Sequence, residues 1–422
     1  TLAVLSQALA ELNIPLVVAE AATRKDVPGV VLAAAQSTAC DAIYFNKEYE
    51  VNERTRDEGV ASLAAAASIP TVACTDQTVL EPGQVRTGEG KYYTVFTPFK
   101  NNWIKTVHSR GIDATGIAAL RTVKKVKPCN VKPSTVPARV EGFVSAVPAT
   151  LWPAGEAHAR RMLSSFCQER IRAYKDGRDL PAKSGTSSLS AYLTIGSISP
   201  RQCLAAALEV NNSSLGTGNI NITTWISELI WREFYVNVMS GFPRVSMHRA
   251  FQPATEQIRW NQNTKHFEAW CKGETGIPII DAGMRQLHAT GWMHNRVRMI
   301  VAMYFTKNLF LDWRLGESFF MRNLVDGFLA SNNGGWQWSA STGTDAAPYF
   351  RIFNPESQSK RFDPQGTYIR RWVPQLAKVE SESIHSPQDM PPLARMKLDY
   401  PQPLVDLSKT RTAAIEAFKA VR

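Results

Sequence analysis

The chain has 422 residues, 44% hydrophobic and 20% charged, which provides for two domains with a sizeable core and excludes a short module, a fibrous protein or a broadly disordered one. The net charge of +11 is uneven: residues 1 to 100 hold 8 Lys and Arg against 12 Asp and Glu, so an anionic partner is expected on the basic remainder. The chain shows no apolar run of roughly 18 residues, no C-x-x-C pair, no His and Cys ligand spacing and no basic leader, which points to a soluble, cytoplasmic, metal-free protein.

In chain order, residues 1–12 read as a helix, and short β-branched runs at 14–18, 42–45 and 70–73 read as strands. Residues 27–39 and 53–67 read as the helices between them, and this alternation argues an α/β domain built on a doubly wound parallel sheet. A chain that opens in a helix implies that the first strand or strands of that sheet precede residue 1, so the chain reads as N-terminally truncated. From residue 107 the sequence turns basic and proline-dotted, with Lys124, Lys125, Lys127, Pro128, Lys132, Pro133 and Pro137, as in a connector. Beyond Trp152 capped helices dominate: Ser199-Pro200 opens one, Pro278 opens another that Gly291 follows, and 292–309 reads as a third. The expected layout is an α/β domain over 1–106, a connector over 107–150 and an all-α domain over 151–422.

Four stretches bear chemistry. Glu228, Trp231 and Tyr235 share a helix face at i, i+3 and i+7, a pattern that more often marks a core stripe with one satisfied acid. Trp292, Asn295, Arg296 and Met299 share another; Asn and Arg seldom join a core stripe, so a binding face and a solvated edge stand level, while His294 beside them reads as a structural histidine. Residues 326–338 pair two Asn with two Gly ahead of Trp336 and Trp338, which brings backbone and amides close to something flat. The hydroxyl run over 184–190 suits either a phosphate cradle or an ordinary helix cap. Neither G-x-G-x-x-G nor G-x-x-x-x-G-K-[ST] occurs, so any nucleotide is bound in another way.

Together, W-I-S-E-L-I-W-R-E-F-Y from Trp225, G-E-T-G-I-P-I-I-D-A-G-M-R-Q-L from Gly273, T-G-W-M-H-N-R-V-R-M from Thr290 and N-N-G-G-W-Q-W-S-A-S-T-G-T-D-A-A-P-Y-F-R-I-F-N-P from Asn332 resemble the photolyase/cryptochrome family. In detail they are similar to its bacterial class I cyclobutane pyrimidine dimer branch, and the likeness covers nearly the whole chain, strongest over 223–376. The resemblance implies an N-terminal α/β domain, an all-α domain holding FAD, and light-driven electron transfer from reduced FAD to a flipped-out dimer in damaged DNA, by a monomer without a membrane partner. It places FAD on Tyr174, Thr186, Ser187, Ser188, Leu189, Ser190, Trp225, Arg232, Asn295, Arg298, Asp326, Gly327, Phe328 and Asn332, with Asn332 at the flavin N5. It places the dimer against Glu228, Trp231, Asn295, Arg296, Met299 and Trp338, and the DNA strand near Arg178, Arg351 and Gln358. Trp336, Trp313 and Trp260 would relay electrons to the flavin.

The chain departs from the family at two places. The usual D-G-D reads Asp326-Gly327-Phe328, which removes one polar contact beside the flavin. At the site for a folate antenna, methenyltetrahydrofolate, Asn52 and Glu53 match while the expected Lys is Met247. The rival readings are a cryptochrome-type photoreceptor without repair, a (6-4) photoproduct enzyme, which uses histidines at the positions of Asn295 and Met299, and an FAD-free DNA-binding remnant.

Overall fold

The computed structural model describes residues 1–111, 124–138, 140 and 145–421; residues 112–123, 139 and 141–144 of the expected connector lie outside that description. Helix Leu2–Glu11 leads into residues 14–18, which form no strand. Their backbone groups are taken by an irregular segment instead: Ser134 N donates to Leu16 O at 2.8 Å, and Val18 N donates to the Ser134 hydroxyl at 2.9 Å. A side chain thus occupies a donor that a ladder needs, and the extended run stays unpaired as a strand.

Two parallel strands, β1 (Ile43–Asn46) and β2 (Thr71–Cys74), pair in register from Ile43 with Thr71 to Asn46 with Cys74. Helix Val51–Ala66 links them and packs on helix Val27–Ser37, which Pro28 opens. The remainder is helical. Ser199 and Gln202 form a reciprocal cap on helix Pro200–Val210, and Gly291, at φ 65°, closes helix Pro278–Thr290. The expected 292–309 helix starts only at Asn295, because the His294 ring nitrogen accepts from Arg296 N at 3.2 Å and caps it there. Trp292 therefore precedes the helix and does not share its face. Past Met303 the helix widens into a π turn, Tyr304–Asn308, inside which Lys307 is fully buried and donates to Ala340 O at 3.2 Å.

The T-G-I-P-I-I-D stretch is explained by packing. Asp281 is wholly buried and accepts from Thr275 N and Oγ1, Gly276 N and the Tyr400 hydroxyl, tying the start of its helix to the chain near the C-terminus. No helix among the described residues is long and apolar enough to cross a membrane.

One of the main cores spans two parts of the chain. Val79, Leu80, Phe99, Trp103 and Val107 pack into one cluster with Leu163, Phe166, Leu204, Ile226 and Phe234. The expected boundary at residue 106 thus falls within helix Phe96–Ser109, whose apolar face belongs to the helical core. The tie is polar as well: buried Glu233 accepts from Val79 N at 2.8 Å, Leu80 N at 3.1 Å and Trp103 Nε1 at 2.6 Å. Burial pushes its carboxyl up to about 7, with the three donors pulling the other way.

The sign of the linkage follows. Between the unfolded carboxyl range and about pH 7 the folded chain holds a proton that the unfolded chain has released, so stability falls as pH rises through that window. Denaturant melts of the wild type from pH 5 to 8 should show that slope, and Glu233→Gln should abolish it. At pH 8 the variant, with one N–H facing an amide NH2, should lose about 1–3 kcal/mol.

Candidate active site

Helix Ile220–Gly241, capped by Asn219, presents Trp225, Glu228, Trp231, Arg232 and Tyr235 to a cavity of about 510 Å³. Helix Asn295–Met303 adds Asn295, Arg296, Arg298 and Met299 from a second side. Helix Leu329–Ala340 adds Asn332, Gly335, Trp336 and Trp338, and Tyr174, Arg178, Ser187 and Ser190 complete the wall. The volume lies within the roughly 300–1,000 Å³ usual for cofactor and ligand sites.

Four arginines line the cavity, and their partners differ. Arg298 makes a bidentate pair with buried Asp326 at 2.8 and 3.0 Å through one terminal nitrogen, and its Nε donates to Met293 O at 2.7 Å. Arg296 reaches Asp179 at 3.0 Å and lies 4.4 Å from the centre of the Phe362 ring. Arg178 pairs with Glu228, whose carboxyl is raised by burial and lowered by that pairing. Arg232 differs from these three. It donates to Gln77 O and sits 4.1 Å from the centre of the Phe328 ring, and among the described residues no carboxylate pairs with it. Burial lowers its pKa to about 10, so it remains a cation at neutral pH. Phe328, where the sequence departs from its family, therefore supplies a ring face to that cation.

The aromatic walls are set by close backbone approach. A Cβ on Gly316 would stand 2.1 Å from the Trp336 ring, and one on Gly334 would stand 2.2 Å from the Tyr235 ring. Asn332 donates its side-chain N–H to Glu317 O at 3.0 Å, which leaves its carbonyl as the free acceptor. Gly335 also lines the cavity, and a Cβ there would meet nothing within 4 Å.

The comparisons agree with this architecture. A model described as the FAD binding domain of DNA photolyase matches residues 225–420, and one described as DNA photolyase matches residues 1–118. The deoxyribodipyrimidine photo-lyase of Salmonella typhimurium is 43% identical, over 99% of this chain and 86% of its own length. The chain belongs to the DNA photolyase family. Among solved structures, a bacterial class III photolyase from Agrobacterium tumefaciens superposes on 100% of this chain and 87% of its own with a TM-score of 0.88 at 33% identity. The cryptochrome of Synechocystis superposes on 93% of this chain and 82% of its own with a TM-score of 0.79 at 26% identity. The photolyase fold here is mostly helical with a small parallel sheet, as the sequence pattern implies.

Of the residues expected at the site, Tyr174, Arg178, Ser187, Ser190, Trp225, Glu228, Trp231, Arg232, Asn295, Arg296, Arg298, Met299, Asp326, Phe328, Asn332, Trp336 and Trp338 all line this one cavity. Thr186, Ser188, Leu189 and Gly327 neighbour lining residues in sequence but do not line it. Arg351 is exposed and Gln358 is half-buried, the latter on helix Pro355–Phe362. Trp313 is buried, and Trp260 packs 5.1 Å from Phe310; a parallel bridge between Asn261 and Leu311 brings their two segments together. Glu53 pairs with Arg24 at 2.9 Å, and Met247 is exposed. Sequence reading missed Leu193, Thr194, Ala302, Phe320 and Leu324, apolar or small residues without a chemical signal, and Trp270, whose ring is 6.0 Å from that of Trp336.

The cavity suits FAD on its own evidence, because it offers a buried cation without a direct ion pair among the described residues, a fixed Arg–Asp pair and a glycine wall that leaves room for a flat ring. Gly335→Leu should fill that room without straining the helix. The purified variant should lose its flavin absorbance while its melting temperature in the absence of cofactor holds or rises, since removing a mid-helix glycine gains about 0.5–1 kcal/mol.

Proposed function

We propose that this chain acts as a deoxyribodipyrimidine photo-lyase, holding FAD in the cavity and taking an extruded pyrimidine dimer against Trp231 and Trp338. The observation that carries this reading is that residues assigned separately to cofactor and lesion line one cavity. Bound, reduced FAD supplies the light-driven electron.

The chain's own groups do the rest. Arg232 offers its charge to an anionic part of the cofactor, and the Arg298–Asp326 pair fixes a dipole beside the ring. With FAD bound, the free carbonyl of Asn332 would be available to accept a hydrogen bond from the flavin ring. Glu228 faces the cavity from the same helix as Arg232 and is placed to hydrogen-bond the base carbonyl and imide; burial raises its carboxyl and the Arg178 pairing lowers it. A dimerised pyrimidine pair stacks poorly, so extruding it costs a few kcal/mol at most. Stacking on Trp231 and Trp338 offsets this at roughly 1–3 kcal/mol per base. Arg296, Met299 and Asn295 bound the dimer, and Arg351 and Gln358 meet the strand, so binding is salt-sensitive with little sequence preference. Trp260, Trp313 and Trp336 relay electrons inward, and a folate antenna at Glu53 requires Arg24 to yield its ion pair.

We also infer an N-terminal α/β part and a C-terminal helical part, in line with the family matches at 1–118 and 225–420, with the first boundary displaced from residue 106 because helix Phe96–Ser109 packs into the helical core. A monomer acting in the cytoplasm is the expectation carried over from the sequence and the family resemblance.

The test is a blue-light repair assay on a thymine-dimer oligonucleotide with added reductant, run after recording the flavin spectrum. Light-dependent loss of the dimer is expected; bound flavin without repair would move the assignment to a cryptochrome-type photoreceptor. Trp231→Ala should keep FAD and weaken dark binding to the lesion by about tenfold or more. Trp260→Phe should slow photoreduction yet leave repair by chemically reduced enzyme intact.

A further inference from the structure

An indole that is to receive a base has two faces, and it can present only one. In this structure the Phe96 ring covers one face of Trp231, with centroids 3.7 Å apart and planes 7° from parallel. Phe234 stands edge-on to both rings, 5.6 Å from Trp231 and 5.9 Å from Phe96, and Tyr235 flanks the indole at 5.6 Å. Trp231 is boxed on three sides yet remains half-buried and lines the cavity.

Phe96 is in turn fixed by its own helix. Its backbone N–H, one of the unpaired donors at the start of helix Phe96–Ser109, is taken by the Asp345 carboxylate at 3.0 Å. One turn on, Lys100 donates to the Ser227 hydroxyl at 3.1 Å, and Trp103 donates to Glu233 at 2.6 Å. Phe96, Lys100 and Trp103 follow helical spacing, so a single face of this helix holds Ser227, Trp231 and Glu233 of the cavity helix at three points.

We propose that Phe96 is a positioning residue for lesion recognition: it locks the Trp231 indole in the orientation that leaves only its cavity face open to a pyrimidine. The proposal rests on the reading of Trp231 as a stacking surface for the extruded dimer. The physical ground is preorganisation. An unbacked indole would rotate among rotamers and would have to be ordered when the base arrives, whereas a stacked one is ordered on folding. Phe96 does not line the cavity, and its effect passes through Trp231.

The test uses the full-length, flavin-loaded chain in the dark, with a duplex carrying one thymine dimer and the same duplex without it. Phe96→Leu keeps an apolar side chain and removes the ring plane. Lesion affinity should fall by about tenfold, while affinity for undamaged duplex and the flavin-to-protein ratio hold within about twofold. Phe96→Tyr should restore the wild-type preference. Lesion affinity unchanged in Phe96→Leu, or an equal fall on both duplexes, would overturn the proposal. Phe96→Met, closer in volume, is read by the same criteria should the leucine variant lose its flavin. A wild type that does not prefer the damaged duplex would overturn the functional reading itself, and a preference lost in Trp231→Ala but kept in Phe96→Leu would overturn only the role of Phe96.

Discussion

The Glu233 carboxylate has no water to turn to and three N–H groups to satisfy. Two are backbone donors of Val79 and Leu80, and the third is the indole of Trp103, so the acid can be accommodated only if the segment near residue 80 and helix Phe96–Ser109 both close on helix Ile220–Gly241. A buried carboxylate stripped of such partners would cost several kcal/mol. That requirement fixes one side of the helix, and Trp225, Glu228, Trp231 and Arg232 reach the cavity from the rest of its surface. The neighbouring Arg201 reinforces the same strap through Thr75 O at 2.6 Å and Val79 O at 3.1 Å.

The cavity that results is polar in an ordered way. Arg298 and Arg296 are held by carboxylates, and Arg178 and Glu228 hold one another, so most of the charge is paired before any ligand arrives. Arg232 keeps its charge at the cost of desolvation; a carbonyl and a ring face touch it, and Glu233, Glu50 and Asp76 favour the cation without a direct ion pair among the described residues. An acid in place of Phe328 would quench that field, whereas the ring leaves it directed at whatever occupies the site.

Much of this was legible in the sequence through the family resemblance carried by several long motifs in order, since helical spacing alone read Glu228 and Trp231 as a core stripe. Glu228, Trp231 and Arg232 need only the geometry of one helix to reach the same place, and paired Asn and Gly ahead of Trp336 marked a flat ligand. What was hidden depended on distant segments. The stretch 14–18 is a short β-branched run of the kind that forms a strand, but its partners lie beyond residue 124, and the Ser134 hydroxyl took a backbone donor that a ladder would need. The 292–309 run has unbroken helical periodicity, yet a histidine cap delays its start and a π turn interrupts its end; neither leaves a mark in hydrophobic spacing. His294, read as structural, proves so: burial holds its pKa down to about 4, and it serves as a neutral cap. Ala302, Phe320 and Leu324 looked like core residues and are core residues, whose outer surface happens to face the cavity.

The notches at Gly316 and Gly334 separate two properties that are usually entangled. Trp336 and Tyr235 rest directly on helical backbone, so their placement is dictated by main-chain geometry and only weakly by the polar side chains around them. A change among the polar lining groups of this chain, such as one at Phe328, therefore leaves the two rings seated, so the chemistry of the cavity and the integrity of its frame answer to different residues.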